Sequence, residues 1–145
     1  MKLTRFSDYS LRILMFAALR DGSQFSVDEV AEVYGLSRHH VAKAVNFLSQ
    51  RGYLNAQRGR GGGLQLGRAP AEIRIGQLVR QTEHGSPLVE CFDPASNTCP
   101  LIKACLLKQA LAQASTAFYT ALDGYSLADL VHKPGPLRRA LSLTA

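Results

Sequence analysis

Long apolar runs are missing from this 145-residue chain, and no stretch approaches the uninterrupted length of a transmembrane helix. The N-terminus also lacks the apolar run and small-residue cleavage site of a secretory signal, so a cytoplasmic protein without a membrane partner is expected. Internal repeats and low-complexity tracts are absent, which leaves an ordinary globular chain. Cysteine is scarce. Cys91, Cys99 and Cys105 form an odd set inside one 15-residue window, which argues against a disulfide framework and for a metal or redox site. Acid is missing from one long run: no Asp or Glu occurs between Glu32 and Glu72.

What remains is globular in composition, 46% hydrophobic and 19% charged, and long enough for one compact domain with its own core. The net charge of +6 is unevenly placed. Residues 1–70 hold ten Lys and Arg against five Asp and Glu, whereas residues 71–145 hold seven against six. A basic half of this kind suits a polyanion such as nucleic acid, and more weakly a membrane surface.

Periodicity predicts a first helix over residues 4–20, with Phe6, Tyr9, Ile13, Leu14 and Ala17 as its apolar stripe and Asp8 in its first turn. Ser26 followed by Glu29 is a capping box opening a second helix, SVDEVAEVY. Gly35 and Leu36 make a turn, Ser37 caps a third helix, and Gly52 stops it. Tyr53–Gln57 and Leu64–Leu66 read as short strands around a basic, glycine-rich turn. Two helices joined by a glycine turn and followed by a hairpin predict a winged helix-turn-helix. The expected fold class is therefore mainly α with a small β-hairpin wing, plus a long dimerisation helix.

Four segments are expected. Residues 1–85 form the DNA-binding winged helix-turn-helix. Residues 86–100 are a cysteine-bearing loop, and residues 101–131 hold the long helix and a short packing helix. Residues 132–145 form a loose tail. The long helix is expected from Leu101 to Leu122, with Ala104, Leu107, Leu111, Ala114, Phe118 and Ala121 as a seam suited to a homodimer. Ser126 and Asp129 make a second capping box.

In a helix-turn-helix, the N-terminal side chains of the recognition helix meet base edges. Here these are Ser37, Arg38, His39, His40 and Lys43, while Val41, Ala44, Val45 and Leu48 face inward. Arg reads guanine through paired hydrogen bonds, and Lys and His reach base or phosphate. Arg58 and Arg60 on the wing suit phosphates or the minor groove. Double-stranded DNA is the expected partner, more so than a second protein.

The cysteine spacing is too wide for a compact zinc knuckle and fits an iron–sulfur cluster better. Three thiolates leave one iron of a four-iron cluster in need of another ligand, where a small molecule could attack. Asp8, His84, Glu90, Asp93 and His132 are candidates, and spacing favours Glu90 or Asp93. A thiol switch is an alternative, with Cys99 before Pro100 at an expected helix start. A cysteine-based redox enzyme is disfavoured, because no His or acid is spaced to activate a thiol.

The segments LTRFSDYSLRILMFAA, VYGLSRHHVAKAVNFLSQRGYL, RGRGGGLQLGR and IRIGQLVRQTE together resemble the iron–sulfur winged-helix regulators. The three cysteines and LKQAL followed by YSLADLV carry the resemblance to about residue 131. It is nearest to the nitric-oxide-sensing repressors of that family. The resemblance implies a homodimer with a [4Fe–4S] cluster in each subunit on Cys91, Cys99 and Cys105, completed by Asp8 from the partner chain. That replaces Glu90 or Asp93 as the expected fourth ligand. Members carrying a [2Fe–2S] cluster use closer cysteines with a histidine ligand, and no histidine lies between Cys91 and Cys105. The [2Fe–2S] cluster stands as the alternative cofactor. Nitric oxide is the implied signal, and palindromic operator DNA the implied target.

Overall fold

The computed structural model describes residues 2–57, 59, 61–85 and 87–143. Each of the first three helices is bounded by its own local chemistry. Helix α1 (Arg5–Leu19) starts at Thr4, whose hydroxyl accepts from the Ser7 N–H at 3.2 Å. Helix α2 (Val27–Tyr34) starts on the expected capping box: Glu29 N–H donates to Ser26 Oγ at 3.1 Å, and Ser26 N–H to Glu29 Oε2 at 2.7 Å. Helix α3 (Arg38–Gln50) ends in a Schellman motif. Gly52, at φ +71°, donates to the Ser49 carbonyl at 3.0 Å, and Tyr53 donates to that of Leu48 at 2.9 Å.

Strands β1 (Leu54–Ala56) and β2 (Leu64–Leu66) pair antiparallel with Leu54 opposite Leu66. Phe25 forms a one-residue antiparallel bridge on the other edge of β2, giving and receiving backbone hydrogen bonds with Leu64 at 2.9 and 2.8 Å. The wing is thereby anchored to the turn before α2, a pairing that no sequence period marks. Helix α4 (Ile75–Thr82) follows, then the cysteine segment, helix α5 (Leu106–Asp123) and the short helices α6 (Leu127–Leu130) and α7 (Pro134–Ala140).

Among the described residues, the buried core is built by α1, α2, α3, the hairpin, α4 and α6, and takes no fully buried residue from the cysteine segment, α5 or α7. Ile13, Leu14 and Phe16 of α1 meet Val41, Ala44 and Leu48 of α3, with Tyr53, Leu54, Leu78, Val79 and Leu127 around them. Of the expected α1 stripe, Phe6 and Tyr9 are only half-buried, whereas Phe16 and Leu19 are buried. The helix is covered on more than one side, by α3, α4 and α6, so it buries more than a single stripe.

Two expectations need correction. The tail read as loose from Pro134 onward forms α7, since proline suits a first helical turn. Arg138 Nε donates to the Leu19 carbonyl at the end of α1 at 2.8 Å, and Leu141 and Leu143 pack against the core. The long helix begins at Leu106, not Leu101. Residues 101–104 are turns, and Cys105 stands at the N-cap with its Sγ accepting from the Lys108 N–H at 3.4 Å. The thiol at the helix start is thus Cys105 and not Cys99.

Helix α5 lies against α4 through one close approach. A Cβ on Gly76 would lie 2.8 Å from the Asp123 backbone nitrogen and would run into its carboxylate. That carboxylate forms a two-pronged pair with Arg80, both contacts at 2.6 Å, and those hydrogen bonds hold it below the usual carboxylate range. Arg80 also lies 4.9 Å over the Tyr119 ring. Alanine in a helix interior normally gains ~1 kcal/mol over glycine. Gly76→Ala is expected to do the opposite and lose about 1–3 kcal/mol through overpacking. Urea denaturation reads this directly, and a raised midpoint would contradict the close approach.

Candidate nucleic-acid interface and cysteine segment

The start of α3 is turned outward. Ser37, Arg38, His39, His40 and Lys43 are all exposed, while Val41, Ala44, Val45 and Leu48 on the same helix are buried. The expected partition between inward and outward faces is therefore observed. Ser37 holds the N-cap position but makes no capping hydrogen bond. Its hydroxyl and the first N–H groups of the helix stand open at an end that favours anions. His40 lies 5.8 Å from the His39 ring and 6.3 Å from that of Tyr9, and Lys43 Nζ sits 6.0 Å above Phe6. Side chains of α1 thus flank the outward face of α3. Arg38 Nε donates to Asp28 Oδ1 across the turn from α2.

The wing is stiffer at its root than its glycines suggest. A Cβ on Gly62 would collide with the Gln57 carbonyl, and one on Gly63 would sit 3.1 Å from the Phe25 carbonyl. Those two glycines serve the hairpin's own packing and not only an open tip. Gln24 Nε2 donates to Gln57 Oε1 at 2.6 Å across the same root. Arg58 and Arg60 lie outside the described residues. Two other arginines of the acid-free run are used internally. Arg68 donates to the Gly52 carbonyl at 3.2 Å and to that of Arg51, capping the end of α3. Arg51 lies 3.8 Å over Phe47.

Cys91 sits in a short 3-10 turn, Glu90–Phe92; Cys99 lies in irregular chain, and Cys105 at the start of α5. All three are half-buried free thiols. Among the described residues, no three His, Cys, Asp or Glu side chains are gathered as they would be around one metal ion. The donor set nevertheless suits iron and sulfide: soft thiols on one segment, one already accepting a backbone N–H as cluster sulfurs do.

The candidate fourth ligands are dispersed. Asp93 is held in its own turn by the Ser96 hydroxyl at 2.6 Å and the Ala95 N–H at 3.0 Å, which lower its pKa. Glu90 and His84 are exposed, and His132 Nδ1 lies 2.7 Å from the Asp129 carbonyl oxygen. Asp8 projects from the first turn of α1 and pairs with Arg12 one turn on, at 2.9 Å.

One group went unnoticed in the sequence. Glu83, just past α4, accepts at Oε1 from the Thr4 N–H at 2.8 Å, the Thr4 hydroxyl at 2.8 Å and the Ser7 hydroxyl. Ser7 is buried, and its hydroxyl oxygen also lies 2.6 Å from Thr82 Oγ1. The first turn of α1, which carries Asp8, is thus fastened to the root of the cysteine segment. The only sequence signal is a set of small polar residues on an otherwise apolar helix, and their partner lies more than 70 residues away.

Comparison with known proteins is consistent with this arrangement. Residues 3–133 match the family model described as Rrf2, iron-dependent transcriptional regulator. The chain is 43% identical over 144 residues to the HTH-type transcriptional regulator NsrR of Bacillus subtilis (strain 168), covering 99% of each. Its fold is similar to CymR, the global cysteine regulator of B. subtilis, with TM-score 0.71 and 27% identity over 91% of this chain and 97% of that one. It shares the fold of T. potens IscR as well, with TM-score 0.74 and 22% identity over 95% and 91%.

Removing the Glu83 acceptor strands two hydroxyls and a backbone N–H at the start of α1. Glu83→Ala is expected to lower stability by about 2 kcal/mol, and Glu83→Gln, which keeps an acceptor, by less. Chemical denaturation of the two variants side by side checks the order.

Proposed function

This chain belongs to the Rrf2 family of iron-dependent transcriptional regulators, and from that premise we propose that it is a homodimeric repressor that binds operator DNA and senses nitric oxide. The family is one of regulators and not of enzymes. The observation that carries the DNA reading is the outward face of α3, with Ser37, Arg38, His39, His40 and Lys43 exposed beside a glycine-rich wing. Arg38, His39, His40 and Lys43 read the major groove, and Arg58 and Arg60 reach phosphates or the minor groove. Two such faces related by a two-fold axis match half-sites about 10 base pairs apart, or a multiple of that.

Dimerisation rests on α5. None of its 18 residues is buried within the chain, and Leu106 and Leu107 are 75% and 65% exposed. Of the expected seam, Leu111 and Phe118 are half-buried and Phe118 packs on the chain's own core, while Leu107, Ala114 and Ala121 on the border of that face are exposed and open to a second copy; Ala104 precedes the helix.

The thiols of Cys91, Cys99 and Cys105 would hold the [4Fe–4S] cluster, with Asp8 of the partner subunit as the remaining ligand. When bound, that cluster supplies iron open to nitric oxide. Asp8 pairs with Arg12 on its own helix, a pair that would have to give way where Asp8 held a cluster. Because Glu83 ties the start of α1 to the cysteine segment, a change at either place shifts the other relative to α3.

Protein purified without oxygen is expected to show a broad visible absorption that stoichiometric nitric oxide bleaches together with loss of operator binding. Cys99→Ala should lack the absorption. Operator binding that survives bleaching overturns the switch, and binding lost only on peroxide treatment assigns the signal to the thiols. On the DNA side, Arg58→Ala should weaken all duplexes alike and reduce the steepness of the salt dependence by about one phosphate contact. A loss confined to one sequence would show base reading there instead.

A further inference from the structure

We propose that Asp28 is the positioning residue for base reading by Arg38, and thereby sets part of the operator preference. The inference rests on the reading of α3 as the recognition helix. Arg38 is the first residue of α3 and stands at the end that meets base edges. Its Nε donates to Asp28 Oδ1, and the two side chains are 71% and 68% exposed. Among the described residues, this is the one ion pair made by a side chain of α3.

An ion pair this exposed contributes only about 0–1 kcal/mol to stability, so its removal should leave the fold intact and any effect would appear in DNA binding. The geometry supplies one. An arginine on an exposed helix start has many rotamers, and ordering them on binding opposes affinity. With Nε held, the guanidinium plane is fixed near one orientation, and the two terminal nitrogens stay free. Those two nitrogens are the pair that can bond O6 and N7 of one guanine. The carboxylate also repels phosphate. An unpaired Arg38 could swing to the nearest backbone oxygen, which carries no sequence information. Asp28 penalises that excursion, and α3 itself lies within a run from residue 33 to residue 71 that holds no acid of its own.

Two consequences separate this from a plain structural pair. Loss of Asp28 should tighten binding to arbitrary DNA, because one negative charge leaves the interface. It should also relax the preference at one base position only, the position read by Arg38. A structural role would move neither in that pattern.

The experiment is selection from a randomised duplex library by the purified full-length dimer, comparing wild type, Arg38→Ala, Asp28→Ala and Asp28→Asn. Non-specific affinity is measured on one arbitrary duplex at fixed salt. Arg38→Ala is expected to abolish the preference at one position per half-site. Asp28→Ala is expected to relax that same position about tenfold while tightening arbitrary binding. Asp28→Asn, which keeps the acceptor without the charge, should retain part of the preference. An Asp28→Ala selection with the Arg38 position unchanged overturns the proposal while leaving Arg38 as a base reader. A uniform loss for Arg38→Ala overturns both the base-reading role and this inference. Urea midpoints within the wild-type range show that the variants are folded, as an exposed pair predicts.

Discussion

The carboxylate of Glu83 joins the start of α1 to the end of α4, and the rest of the structure depends on that joint. One oxygen collects a backbone N–H and two hydroxyls at the very start of α1, at the point where α4 gives way to the cysteine segment. A helix start leaves N–H groups that need acceptors, and its positive end favours an anion. Glu83 meets both needs from a distant part of the chain. The knot is closed on its inner side by buried Ser7 and Thr82. Because α1 packs along α3, its first turn and α3 belong to one packed unit.

Charge in the basic half divides by use. Arg51 and Arg68 lie over aromatic rings, and Arg68 also caps the end of α3. Arg20 donates to the Gln24 carbonyl at 2.9 Å and stands 3.5 Å from Glu29, bracing the turn between α1 and α2. These cations hold the scaffold in place. Arg38 and Lys43 instead stand outward on α3. The acid-free run thus overstates how much positive charge is offered to a polyanion, and the direction of each side chain decides the matter.

Local grammar was legible in the sequence wherever the chemistry is local. Both capping boxes, the Gly52 stop, the hairpin and the inward face of α3 follow from residues within one or two turns of each other. What was missed is long-range. Phe25 pairs with Leu64, Arg138 with Leu19, and Glu83 with Thr4, and no spacing rule connects such partners. The loose reading of the tail failed because its anchors are a carbonyl at the far end of α1 and a core already built by other elements. The early start given to α5 failed because alanine and leucine continue the helical period through residues 101–104, while the backbone there turns. The cysteines could be grouped by spacing, but the ligand proposed from another chain would leave no trace in a single sequence.

The exposed α5 gives the strongest physical reason for a second copy. A helix of 18 residues gains little in water from propensity alone and depends on packing an apolar face. Within the chain, α5 has only its α4 side, fixed by the Gly76 approach and the Arg80–Asp123 pair, with Phe118, Tyr119 and Leu122 reaching the core. Its outer side presents Ala112, Thr116, Ala117, Thr120 and Ala121, small enough for another backbone to come close. Leu106 and Leu107 lie exposed at its start, next to Cys105. Burying that side against a second α5 would place the cysteine segments of both chains beside the same interface. Ligand sharing between subunits and dimer stability would then depend on one helix, so losing a ligand would strain the contact that holds the two DNA-facing surfaces at their spacing.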